Sequence, residues 1–146
     1  MPGDFIAGML LGCFIAFSGS FVNHLLAKDR DMRREFNEAA IGFRKIFEGL
    51  LATIYQNPNL TSTQIANDIL AKSYRDQRIS MGTLCRQMWF FRRRAFSKVW
   101  QEYENPENCG NEPFLSYQGI PFEPGKAYDR EYILNAIKHL ISFANK

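Results

Sequence analysis

FIAGMLLGCFIAFSGSFVNHLLA, residues 5–27, is a run of 23 residues without a Lys, Arg, Asp or Glu. As an α-helix rising about 1.5 Å per residue, it reaches roughly 34 Å, enough to cross a ~30 Å hydrocarbon layer. The run therefore reads as a transmembrane anchor, with membrane lipids as the partner of residues 5–27. Residues 1–27 form the anchor region and 28–146 a separate helical domain. Only Met1, Pro2, Gly3 and Asp4 precede the run, whereas Lys28, Arg30, Arg33 and Arg34 follow it closely. Basic flanks stay on the cytoplasmic side. The expected topology is single-pass in the inner (cytoplasmic) membrane, with the N-terminus outside and the C-terminal domain cytoplasmic.

Two other readings of this region are weaker. A cleaved secretory signal needs a basic segment before its apolar run, and Met1–Asp4 has none. Leu10-Leu11-Gly12-Cys13 resembles a lipoprotein cleavage box, but Phe14, Ile15, Ala16 and Phe17 continue the apolar run past it. Inside the run, Gly8, Gly12, Ala16 and Ser20 recur every fourth residue and share one helical stripe. Small residues let two helices approach closely in lipid, so this stripe is a candidate for transmembrane association, including homo-oligomerisation. Such residues are also common in membrane spans without that role. Asn23 and His24 lie close to Lys28, and a headgroup location accounts for them better than a proton relay does.

Beyond the anchor, about 120 residues remain, enough for one compact domain with its own core. Aromatics make up 14% of the chain, with 13 Phe, which excludes a solvated disordered tail. Residues 28–146 carry 18 basic and 14 acidic groups, net +4, too mild an excess to demand nucleic acid. Cys13 falls in the apolar run, and Cys85 and Cys109 are isolated from other Cys or His. Three such thiols suit a reducing compartment and no disulfide framework.

The domain reads as all-α. Phe36, Ala40, Phe43, Phe47, Leu50 and Ile54 follow steps of four and three, so a helix over 30–55 is expected, continuous with the anchor. Asn57-Pro58-Asn59 breaks it, and Thr61-Ser-Thr-Gln64 matches a capping box. A second helix is expected to run to about Tyr74, carrying Ile65, Ile69 and Leu70. A third covers 78–103, with Leu84, Met88, Phe91, Ala95, Val99 and Tyr103 on one face and bends at Gly82 or Arg92–Arg94. Pro106, Pro113, Pro121 and Pro124 then mark an irregular segment that still has Phe114, Leu115, Tyr117, Ile120 and Phe122 to bury. Asp129 caps a last helix with Ile133, Ile137, Leu140 and Ala144 facing the core. With no sustained period-two alternation, the expected fold is a transmembrane helix followed by an antiparallel bundle of about four helices.

Catalytic constellations are missing. His24 and His139 are far apart in sequence, no glycine-rich phosphate loop occurs, and no ligand spacing fits a metal. No catalytic, cofactor or metal residues are assigned, and no small-molecule substrate is inferred. Charge is more informative. Residues 72–98 hold eight basic groups against Asp76, net +7, whereas 99–131 hold seven acids against two bases, net −5. Arg86, Arg92, Arg93, Arg94 and Lys98 form a candidate basic patch for anionic lipid or, less favoured, nucleic acid. The acidic segment folding over the basic one accounts for the pattern equally well. Trp89, Phe90, Phe91, Phe96 and Trp100 interleave with the bases and suit either an interfacial anchor or a core stripe, with Trp100 and Tyr103 reading as core.

Phe36-Asn-Glu-Ala-Ala-Ile-Gly-Phe-Arg-Lys-Ile-Phe47 resembles the signature of a recurring group of short, uncharacterised, membrane-anchored bacterial proteins. Arg94–Tyr103 and Ile137–Phe143 are similar to that group's later basic helix and final helix. The resemblance implies an architecture and no reaction. The expected role is a single-pass, membrane-anchored protein-interaction module, with a protein partner or a second copy. The alternatives are a basic-patch binder of membrane surface or nucleic acid, and an enzyme of unknown reaction.

Overall fold

The structure is a computed structural model that describes residues 2–106, 112–118 and 128–145, with side chains from residue 19 onward in those ranges. Every regular element among the described residues is helical. Helix α1 spans Pro2–Gln56. Helix α2 has three consecutive stretches: α-helical Ser62–Gln64, π-helical Ile65–Leu70 and α-helical Ala71–Arg86. Helix α3 spans Phe90–Glu104, a 3₁₀ turn covers Leu115–Gln118, and helix α4 spans Arg130–Ser142. The all-α class and the helical bundle stand as expected from sequence. The membrane-spanning helix of the sequence reading gains no support: among the described residues, no helix is long and apolar enough to cross a membrane.

The chain divides into two compact units, Met1–Glu35 and Phe36–Lys146. In the first, the helical backbone covers the whole uncharged run. Phe21, Val22, Leu25, Leu26 and Met32 are exposed. Arg33 pairs with Asp29 one turn earlier at 2.9 Å, a solvated contact of little energetic weight. Of the small-residue stripe, Gly8, Gly12 and Ala16 lie outside the residues described with side chains, and Ser20 is exposed.

In the second unit, α1 stops where its periodicity stops. The Asn57 side chain donates to the Thr53 carbonyl at 2.9 Å, and Pro58 has no N–H with which to continue the helix. The last carbonyls of α1 then need donors. Arg130, at the start of α4, supplies them: its guanidinium reaches the Ile54 carbonyl at 2.8 Å, Asn57 at 3.2 Å, and Pro58. Helix α2 opens with the expected capping box, the Gln64 N–H donating to Thr61 Oγ1 at 3.3 Å and the Thr61 N–H to Gln64 Oε1 at 3.0 Å. Asp129 caps α4 by accepting the Tyr132 N–H at 2.9 Å.

Two sequence expectations change. Helix α2 runs beyond Tyr74 to Arg86, because its later inward face is Gln77, Ser80 and Leu84 and so lacks apolar periodicity. The break before α3 falls at Gln87–Trp89. Gly82 and Arg92–Arg94 instead lie inside α2 and α3. The Gln87 and Met88 amides bond back to the Leu84 and Cys85 carbonyls at 3.1 and 3.2 Å, and an extended Trp89 (φ −60°, ψ 150°) turns the chain into α3.

The core is aromatic at its centre. Phe43 stacks on Phe47 at 4.4 Å, Phe96 meets Phe43 at 5.6 Å, and Trp100 and Tyr103 meet Phe47 at 6.2 and 6.0 Å. Ile54, Ile65, Leu70, Leu84, Ile133, Ile137 and Leu140 complete it, all fully buried. Each such side chain contributes about 1.5–3 kcal/mol by leaving water. Phe114 also enters this core, 5.3 Å from Tyr103, although its backbone is left-handed (φ 64°). That conformation costs about 1–3 kcal/mol for a residue with a Cβ. Burial of the ring, its contacts with Tyr103 and Tyr74, and the Phe114 N–H bond to the Glu104 carbonyl at 2.8 Å offset the cost.

Candidate functional site

Helix α3 carries most of the candidate residues and divides them by face. Phe96, Trp100 and Tyr103 point inward and are buried. Phe91, Arg94, Ala95, Lys98 and Gln101 recur at three- and four-residue steps on the other side and line a shallow open groove of about 530 Å³. Trp89, Phe90 and Phe91 at the α2–α3 corner are 81%, 66% and 81% exposed. The aromatic cluster therefore splits in two: a core half from Phe96 onward and a surface half before it.

The basic candidates split as well. Arg92 is half-buried, its guanidinium 5.0 Å above the Phe36 ring and bonded to the Phe143 carbonyl. It ties α1, α3 and the end of α4 together. Arg93 donates from Nε to the Cys85 carbonyl at 2.9 Å and so closes the C-terminus of α2. Arg86 and Arg94 are exposed, and so is Lys98, 3.9 Å from Glu102 one turn on. The expected patch therefore comprises two arginines engaged in the fold and three cations facing solvent.

The acids of the following segment do not cover those cations where they are described. Glu104 accepts from Trp100 Nε1 at 2.7 Å and from the Tyr74 hydroxyl. Asp129 is occupied as the cap of α4. Glu107 and Glu123 lie outside the described residues.

Sequence reading missed a buried polar chain. The Tyr117 hydroxyl donates to the Tyr103 carbonyl at 2.7 Å, and the Tyr103 hydroxyl to Gln77 Oε1 at 2.7 Å. Gln77 Nε2 donates to the Leu70 carbonyl at 2.9 Å and to Ser73 Oγ at 2.8 Å. This chain ends at the π-helical turn, whose widened ladder leaves carbonyls for side chains to satisfy. Burial pushes the Tyr103 and Tyr117 hydroxyls well above the usual tyrosine range. Partial burial, reinforced by the Glu104 carboxylate, pushes Tyr74 up to about 12. These phenols stay protonated at neutral pH and serve as donors, a packing role.

His24 and His139 are both exposed, and His139 lies 5.7 Å from the Phe143 ring. Among the described residues, no group of three or more His, Cys, Asp or Glu side chains is placed to hold a metal ion. Cys85 is a free thiol, 3.9 Å from Ser97 Oγ. Cys13 and Cys109 lie outside the residues described with side chains. No protein-family model, curated protein or solved structure matches the chain.

Proposed function

We propose that the chain is a single-pass membrane protein whose helical body, Phe36–Lys146, acts by binding rather than by catalysis. Residues 5–27 hold it in the lipid of the cytoplasmic membrane, with the body on the cytoplasmic side and a protein partner or a second copy as its target. One observation carries the reading. Phe21, Val22, Leu25 and Leu26 extend an uncharged run and are exposed, while the second unit closes a complete aromatic core of its own. Large apolar side chains without a protein partner, at the end of a run long enough to span lipid, suit a lipid environment. The Phe36–Phe47 resemblance implies the same architecture. Confinement to the membrane plane raises the body's effective concentration for a membrane-bound target.

Alkaline carbonate extraction of membranes tests the anchor. The full chain should remain in the pellet, and a variant with Ile15→Arg and Leu11→Arg should be released. Quantitative release of the unaltered chain sinks the reading. Crosslinking in intact membranes should then give a discrete adduct with a partner or a second copy, and a chain that stays monomeric counts against the binding role.

A further inference from the structure

We propose that the α2–α3 corner, Trp89, Phe90 and Phe91 together with Arg86, Arg94 and Lys98, is an interfacial contact that seats the body on an anionic lipid surface. This contact goes beyond the anchor and does not depend on it. Folding accounts for the corner without these rings. Buried Met88, 7% exposed, and the Arg93 bond to the Cys85 carbonyl fix the turn, while Trp89, Phe90 and Phe91 remain in solvent. Among the described aromatic contacts, Phe90 and Phe91 meet only each other, ring centroids 5.6 Å apart. Single exposed apolar residues are ordinary, but three consecutive large aromatics are not.

The surrounding charge selects the occupant. Arg86 ends α2, and Arg94 and Lys98 follow Phe91 along the outer face of α3. Asp76 is the sole acid in residues 72–98. The helix dipole disfavours cations at the start of α3, so its own stability does not explain Arg92–Arg94 there. Tryptophan and phenylalanine beside arginine and lysine match the headgroup region, where rings enter the acyl boundary and cations meet phosphates. The open groove between Arg94 and Lys98 is wide enough for a headgroup phosphate. Area argues against a protein here. Three rings offer roughly 500 Å², below the roughly 800 Å² per partner of a stable protein interface. Lipid insertion has no such minimum.

The chain has two tryptophans, and Trp100 is 4% exposed, so the fluorescence difference between the full chain and its Trp89→Phe variant reports the corner. The full chain is reconstituted with vesicles of phosphatidylcholine carrying brominated acyl chains, with or without phosphatidylglycerol. Trp89 emission should shift blue and be quenched only where phosphatidylglycerol is present, and added salt should reverse both changes. In an Arg94→Gln, Lys98→Gln variant, the apparent affinity for the anionic surface should fall about fivefold for each cation removed. Equal quenching with and without phosphatidylglycerol overturns the electrostatic part of the proposal. Absence of quenching on both overturns it entirely, as does shielding of Trp89 by duplex DNA or by a crosslinked protein in place of vesicles. Carbonate extraction of the same samples separates the two readings. A chain that is extracted yet still shows quenching by added anionic vesicles loses the anchor and keeps the corner. A chain that resists extraction without Trp89 quenching does the reverse.

Discussion

Trp89, Phe90 and Phe91 and the trio Phe96, Trp100 and Tyr103 are both aromatic and both interspersed with cations, yet the second trio is buried and the first is exposed. Residue type does not separate them. Position relative to the helix break does. From Phe96 onward the aromatics follow the inward stripe of α3 and meet Phe43 and Phe47 of α1. Trp89 is the extended residue that turns the chain, and Phe90 and Phe91 begin a helix whose first turn overhangs the core. Equal hydrophobic content therefore serves stability in one half and stays available for contact in the other.

The sharpest way to break that contrast is truncation. Phe47→Ala, which removes the ring at the crossing of α1 and α3, should cost about 3–5 kcal/mol in denaturant unfolding of the full chain. Phe91→Ala should stay within about 0.5 kcal/mol of the parent. Similar losses for the two would mean that the corner is structural. Tyr103→Phe should cost about 1–3 kcal/mol, because it leaves Gln77 Oε1 buried without its donor. A shift in denaturation midpoint indistinguishable from zero would take the polar chain out of the stability account.

Alkaline pH separates the halves in another way. A raised tyrosine pKa in the folded state means that the stabilisation is complete below about pH 10 and is lost as pH climbs through the folded value. For Tyr74 that window runs from the model value of 10.0 to about 12, and for Tyr103 and Tyr117 it also opens upward from 10.0. Melting temperature should therefore hold to about pH 10 and then fall, with tyrosinate absorbance appearing only as the core opens. Tyr103→Phe should blunt the fall; an unchanged slope would assign the loss to other groups. The smallest effect lies among the arginines. Arg93→Gln should cost about 1 kcal/mol through the lost bond to the Cys85 carbonyl, and Arg94→Gln close to nothing. Equal thermal shifts for these two neighbours would erase the division of the triple arginine.

Much of the core was legible because apolar spacing is the strongest sequence signal. Ala40, Phe43, Phe47, Leu50 and Ile54 of α1, and Ile133, Ile137, Leu140 and Ala144 at the C-terminal end, are all buried as their periods indicate. The capping residues Thr61, Gln64 and Asp129 were readable for the same reason, since their chemistry is local. The second half of α2 was not readable. Its inward Gln77 and Ser80 are satisfied by partners distant in sequence, and no period reveals that. The break at Gln87–Trp89 was hidden because Leu84, Met88, Phe91 and Ala95 keep helical spacing across it, although Phe91 and Ala95 turn out exposed. The basic patch was legible as composition only. Nothing local shows that Arg92 and Arg93 serve the fold while Arg86, Arg94 and Lys98 face solvent. Ile120 and Phe122 of the proline-rich segment lie outside the described residues, whereas Phe114 and Tyr117 are buried as expected.

The π-helical turn at Ile65–Leu70 makes the length of this segment as important as its chemistry. Such a turn accommodates one residue more than an ordinary helix does. Loss of exposed Asn67 or Asp68 would restore regular winding, but it would rotate everything after it by roughly 100°. Gln77, Ser80 and Leu84 would then swing out of phase with Tyr103 and the core. Point changes at Asn67 and Asp68 should be absorbed, while a single-codon deletion there should abolish cooperative melting. Length variation among descendants of this chain is accordingly expected to avoid that hexapeptide.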